Sequence, residues 1–124
     1  MSILVIDDED AVREAVSDVL ATLGLQVLEA ANGQSGITIY REHQRDIQLV
    51  LLDLSMQGLD GAQTLEELRK INPGARVVVS SGYSEQQILD RLSNAHVAGF
   101  LRKPYDVDAL IDMIQLLLPP WEGL

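Results

Sequence analysis

The sequence predicts an α/β protein: a doubly wound sheet of five parallel strands, in the order 2-1-3-4-5, with five helices distributed over both faces. Three observations lead there. Short aliphatic runs alternate five times with segments of helical periodicity, the pattern of a parallel sheet wrapped by helices. The runs Leu49-Val50-Leu51-Leu52 and Val77-Val78-Val79 are apolar at every position, as strands covered on both faces are. Polar or charged residues follow the strands, where open parallel sheets collect their ligands. Right-handed crossovers then reduce the topologies to the doubly wound one.

Taken in order, Ser2 to Ile6 reads as a strand that runs into Asp7-Asp8-Glu9-Asp10. Val12, Val16, Val19, Leu20 and Leu23 then recur at helical spacing until Gly24 stops the helix. Leu25 to Ala30 gives a second strand, and a helix from Asn32-Gly33 carries Ile37 and Tyr40 inward before ending near His43. Ile47 to Leu52 is the central strand, with Asp53 at its end and a glycine-bearing loop behind it. Leu65, Leu68 and Ile71 mark a third helix, halted by Asn72-Pro73-Gly74. Val77 to Val79 leads into Ser80-Ser81-Gly82-Tyr83-Ser84, and Ile88, Leu89 and Leu92 mark a short fourth helix. Ala98 to Arg102 is the fifth strand, closed by Lys103-Pro104. Val107, Leu110, Met113, Ile114 and Leu117 form the last helix, which Pro119-Pro120 cannot continue.

A chain of 124 residues makes one domain, expected over 1–118, with 119–124 a tail or the start of a linker. No apolar run approaches the ~20 residues of a membrane span. Met1 to Ile6 has neither the basic flank nor the small-residue cleavage site of a signal peptide, so a cytoplasmic location is expected. Cysteine is absent, which excludes disulfides and thiolate metal sites. The formal charge of −10 argues against direct nucleic-acid binding, because phosphates demand clustered Lys and Arg. Most of that acidity serves solubility.

The order 2-1-3-4-5 makes strands 1 and 3 neighbours, which gathers Asp7, Asp8 and Asp53 around one crevice. At ~4 Å and an effective dielectric near 20, each carboxylate pair repels by about 4 kcal/mol. A shared proton or a bound cation offsets that, and hard oxygen ligands favour Mg²⁺ or Mn²⁺. Magnesium held by one or two carboxylates suits phosphoryl transfer. Ser81 after strand 4 supplies a hydroxyl and Lys103 after strand 5 a positive charge, both placed for the oxygens of a phosphoryl group at Asp53.

These pieces together, Asp7-Asp8, Asp53 in Leu-Asp-Leu-Ser-Met-Gln-Gly-Leu-Asp-Gly, Ser81 after Val-Val-Val-Ser and Lys103-Pro104 after Gly-Phe-Leu-Arg, are specific. In them the chain resembles the receiver domain of two-component response regulators, a flavodoxin-like fold, from Ile3 to Leu118. The resemblance implies that Asp53 accepts phosphate from a phosphohistidine on a histidine kinase or histidine phosphotransfer domain. It implies Mg²⁺ on Asp8, Asp53 and the backbone carbonyl of Ser55, with Asp7 acting through water. Lys103 would contact the phosphoryl group, and the Lys103-Pro104 bond would be cis. Ser81 and Phe100 would switch together, coupling the site to a surface made of the fourth helix, the fifth strand and the last helix, where such domains dimerise or dock. Such a module promotes its own aspartyl phosphorylation and dephosphorylation.

Where the family often has proline, this chain has Gln57, and Ser81 stands for the commoner threonine. Ser55 and Tyr83 occupy the positions that, by the resemblance, tune phosphoryl lifetime. Asp10, Asp46 and Asp60 read as caps and turn formers, Glu9 as solvated with steering of the cation as the alternative, and Trp121 as part of the tail. His43 and His96 lack the surroundings of a phosphorylated histidine, so the chain is read as a recipient of phosphate.

Two other readings share parts of the pattern. A small Mg²⁺-dependent phosphatase of the haloacid dehalogenase type would use Asp8-Glu9-Asp10, but leaves Asp53 unexplained. A flavin carrier would need a Ser/Thr/Gly-rich loop where Asp7-Asp8-Glu9-Asp10 repels phosphate. The stretches Ser81 to Glu85 and Gly99 to Pro104 are similar to receivers attached to hybrid sensor histidine kinases, so the chain is expected to be either a stand-alone receiver or part of a longer protein.

Overall fold

The computed structural model describes residues 2–55, 61–82, 86–87 and 97–117. Strands β1 (Ser2–Ile6), β2 (Gln26–Ala30), β3 (Ile47–Asp53), β4 (Val77–Ser81) and β5 (Gly99–Arg102) form one sheet in the order β2-β1-β3-β4-β5. Every neighbouring pair is parallel. The sheet and its order are those the sequence predicts. Four helices stand among the described residues: α1 (Asp10–Thr22), α2 (Gly33–His43), α3 (Gly61–Ile71) and α4 (Val107–Leu117). The helix expected around Ile88, Leu89 and Leu92 lies outside the described residues.

Alternation along the strands divides the core into two layers. Leu4, Ile6, Val50, Leu52, Val77 and Val79 face Ile37 and Tyr40 of α2 and Leu65 and Leu68 of α3. Ile3, Val5, Leu49, Leu51, Val78 and Leu101 face Val16 and Leu20 of α1 and Leu110 and Ile114 of α4. Each large aliphatic side chain so buried contributes about 1.5–3 kcal/mol relative to exposure.

The helix ends follow local chemistry. Gly24 has φ +79°, and the amides of Gly24 and Leu25 donate to the carbonyls of Ala21 and Leu20, a left-handed stop that needs a residue without Cβ. Asn32 caps α2 by accepting from the Ser35 amide at 2.8 Å. Asn72 ends α3, accepting from the Gly74 amide while its side-chain nitrogen donates to the Tyr40 hydroxyl at 3.0 Å. Asp10 departs from expectation: it is the first residue of α1, not its cap, and its carboxylate pairs with Arg13 at 2.7 Å. Gly61 opens α3 against the end of β3. A Cβ there would stand 2.4 Å from Leu54 Cα and 3.0 Å from the Asp53 carbonyl oxygen, so the helix docks only because the side chain is missing.

Candidate functional site

Strand parity assembles the site. Ile3 and Val5 point to the α1/α4 layer, so the next residue of that parity is Asp7; Leu49 and Leu51 lead likewise to Asp53, and Leu101 to Lys103. The register Ile6↔Leu52 sets Asp7 level with Asp53 at the carboxyl edge of the sheet. The ends of β1, β3 and β5 thus aim two carboxylates and one ammonium into a single hollow.

The Lys103 ammonium lies 2.9 Å from Asp7 Oδ2, 3.2 Å from Asp53 Oδ2 and 3.4 Å from Glu9 Oε1. Asp7 and Asp53 are almost wholly buried, at 3% and 2% exposure. On the other side of Asp53, Oδ1 accepts from the Ser55 amide at 2.9 Å and the Ser55 hydroxyl at 2.8 Å. Asp7 Oδ1 accepts from the Glu9 amide at 2.9 Å, which folds the acidic loop back over the strand end. The Lys103–Pro104 peptide bond is cis.

These contacts set the electrostatics. Burial raises the pKa of Asp7 and the Asp53 charge adds to it, outweighing the opposing bonds from Glu9 and Lys103. For Lys103, burial acts to lower the pKa, but the hydrogen bond to Asp7 and the charges of Asp53 and Asp7 hold it well above the ordinary lysine value. Tyr105, largely buried beside the same carboxylates, has its phenol pushed up to about 12.

Asp7, Asp8, Glu9 and Asp53 each offer an oxygen within 4.8 Å of the others. All are hard donors, the set that suits Mg²⁺ and not a soft metal, and Asp8 and Glu9 are exposed where an ion would enter. The residues fit a magnesium ion. Glu9 is exposed, as the sequence reading has it, and its carboxylate also lies within the cluster and 3.4 Å from Lys103.

Ser81 is buried at the end of β4 and shares the parity of Val79, on the α2/α3 face. Phe100 pairs with Val79 across the β4–β5 ladder and packs, half-buried, against that same layer. Ser81 and Phe100 are therefore diagonal neighbours on one face. Tyr83, Gln57, Asp60, His96 and Trp121 lie outside the described residues.

Sequence reasoning missed two residues, Arg13 and Tyr105, and one contact of a residue it does name, the Ser55 hydroxyl. Arg13 braces the acidic loop, Ser55 donates its hydroxyl to Asp53, and Tyr105 walls a groove of about 510 Å³ between α1 and the start of α4, beside Glu9 and Lys103. Only the spacing of Asp10 and Arg13, one helical turn apart, was a readable signal.

Among known proteins, the family described as response regulator receiver domain matches residues 3–115. The chain belongs to that family. This receiver domain is 32% identical over 117 residues to the chemotaxis protein CheY of Bacillus subtilis, covering 94% of the chain and 96% of the relative. It is 33% identical to the sensor kinase CckA of Brucella abortus over 94% of the chain but 12% of that protein. In structure it is similar to the receiver domain of the hybrid histidine kinase CckA, with TM-score 0.80 and 34% identity over 96% of this chain and 100% of the other. The receiver domain of NtrX from Brucella abortus gives 0.84 and 31% over 94% and 98%. The relatives set this receiver domain within two-component signalling. The phosphatase alternative is not favoured: its nucleophile would be Asp8, the first residue of Asp8-Glu9-Asp10, which is exposed, whereas Asp53 on β3 is buried against Lys103. No helix among the described residues is long and apolar enough to cross a membrane.

Proposed function

We propose that this receiver domain takes a phosphoryl group onto Asp53 from a phosphohistidine of a histidine kinase or phosphotransfer protein, in a Mg²⁺-dependent reaction. One observation carries the reading. Asp53 is a buried carboxylate at a strand end, with one oxygen hydrogen-bonded by Ser55 and the other facing a fixed ammonium.

In the transfer, a carboxylate oxygen of Asp53 forms a bond to phosphorus as the bond to the donor imidazole nitrogen breaks. The imidazole leaves, and an acyl phosphate remains. Lys103 supplies positive charge to the phosphoryl oxygens, and the Ser55 bonds hold the carboxylate in one orientation. Asp8, Asp53 and the backbone carbonyl of Ser55 would hold the Mg²⁺, with Asp7 acting through water. When bound, the ion neutralises charge on the transferring group.

The new phosphoryl oxygens draw the Ser81 hydroxyl toward them, and Phe100 moves inward on the same face. The switched surface comprises the fourth predicted helix, β5 and α4, and serves a homodimer or a downstream partner. β5 is an edge strand and Leu116 of α4 is strongly exposed, which suits a docking role. Tyr83 and Ser55 set the phosphoryl lifetime. The receiver unit is 1–118, with 119–124 a tail or linker in the cytoplasm.

Incubation with acetyl phosphate and Mg²⁺ tests the proposal. The expected result is saturation at one phosphoryl group per chain. Sustained release of inorganic phosphate at a rate set by fresh donor, without a bound phosphoryl species, would mean a phosphatase instead.

A further inference from the structure

Four mutually repelling carboxylates stay in a geometry ready for an ion only if the loop that carries them is held in place. Glu9 caps α1 through its backbone, without a side-chain cap bond, so the acidic loop is not held from within by the usual device. Arg13 stands immediately behind it. Its Nη1 donates to the Asp7 carbonyl oxygen at 2.8 Å, and its Nη2 to Asp10 Oδ1 at 2.7 Å. Its Nε faces Glu29 Oε1 at 3.3 Å, and its side chain is only 15% exposed. The fork therefore grips the loop on both sides of Asp8 and Glu9 and ties it to β2.

We propose that Arg13 is a positioning residue for the metal: its guanidinium fixes the turn that presents Asp7, Asp8 and Glu9, so that Mg²⁺ affinity depends on the fork and not merely on its charge. The inference rests on the Mg²⁺ reading of the carboxylate cluster. The guanidinium touches no carboxylate of that cluster; its contact there is with backbone, and its carboxylate partners are Asp10 and Glu29. Planar, divergent donors allow this; a lysine ammonium is a single point that cannot reach all three acceptors.

Charge and geometry predict opposite signs. As a mere positive charge beside the site, Arg13 repels the cation: Arg13→Met would tighten Mg²⁺ and Arg13→Lys would leave it unchanged. As a positioning residue, both variants weaken binding by about tenfold, the usual effect of losing a group that orients metal ligands. A purely structural role would lower the melting temperature without moving the affinity of the folded protein for the ion.

Calorimetric titration of the whole chain with Mg²⁺ decides among these. Weaker binding in both Arg13→Met and Arg13→Lys is the expected result; binding unchanged in Arg13→Lys or tighter in Arg13→Met overturns the role. Should either variant fail to fold, Glu29→Gln takes its place, since it loosens the fork from β2 without touching the acidic loop. It is expected to weaken Mg²⁺ by about threefold, and unchanged affinity overturns the role. Absence of Mg²⁺ binding by the unaltered chain overturns the metal reading itself, an outcome distinct from the loss of Arg13 alone.

Discussion

Lys103 Nζ stands 3.2 Å from Asp53 Oδ2 while also holding Asp7 at 2.9 Å, so the site carries its own cation. From sequence, the carboxylates were expected to need a proton or a metal, with Lys103 reserved for phosphate. In the folded chain it already offsets part of their repulsion. Breaking a buried ionic cluster by removing one partner leaves uncompensated charge. Lys103→Met is therefore expected to lower metal-free stability by about 2–4 kcal/mol. Urea denaturation with and without Mg²⁺ measures this, and the variant should gain more from the ion than the unaltered protein does. Equal stabilities in the absence of metal would show that the ammonium is not acting as a counterion.

Gly61 gives a sharper packing prediction. The contact that a Cβ would violate is with backbone, at 2.4 Å from Leu54 Cα, so no rotamer change relieves it. Gly61→Ala is expected to cost about 3 kcal/mol by forcing α3 away from the end of β3. It should also slow phosphoryl uptake, because the displaced Leu54 adjoins Asp53. A denaturation midpoint unchanged from that of the unaltered protein would refute the close-packing argument. A Cβ at Gly36 would instead meet the fully buried, β-branched side chain of Ile6, at 2.4 Å from its Cδ1 and 2.8 Å from its Cγ1, so Gly36→Ala should also be destabilising.

At alkaline pH two groups act together. Folding raises Lys103 above 10.5 and raises Tyr105 from 10.0 to about 12. For a group raised on folding, stability is fully present below the unfolded value and lost as pH rises through the folded one. Stability should therefore hold to about pH 10 and decline above it. Tyr105→Phe removes the phenol's share and should flatten that decline. Ultraviolet absorbance of phenolate, following the folded protein against the variant, should assign to Tyr105 a titration near 12.

The architecture was legible because it is written in local, repeating signals. Apolar runs gave the strands, helical spacing gave the faces, and glycine or asparagine gave the start of α2 at Asn32 and the stops at Gly24 and Asn72. Even the convergence of Asp7, Asp53 and Lys103 follows from parity along Ile3-Val5, Leu49-Leu51 and Leu101. What escaped was everything decided by register or rotamer. Arg13 meets Glu29 only because β1 pairs with β2 so that Val5 lies opposite Glu29. Ser55 was read for its carbonyl and its variable position, but its hydroxyl bond to Asp53 depends on the turn after β3. Asp10 looked like a cap by composition, yet the helix begins at it and Arg13 claims its carboxylate.

Under the proposed function, a bulky side chain at Tyr83, two positions after Ser81 in the sequence, would hinder water from reaching an acyl phosphate on Asp53. Tyr83→Ala is expected to shorten the lifetime of the phosphorylated state severalfold, followed by loss of label after the donor is removed. An unchanged lifetime would take Tyr83 out of the account.

The most direct test locates the phosphoryl group. After incubation with acetyl phosphate and Mg²⁺, mass-spectrometric mapping should place a single phosphoryl on Asp53, and Asp53→Asn should take up none. A group mapped to Asp8, or the same uptake by Asp53→Asn at the same rate and position, would contradict the account.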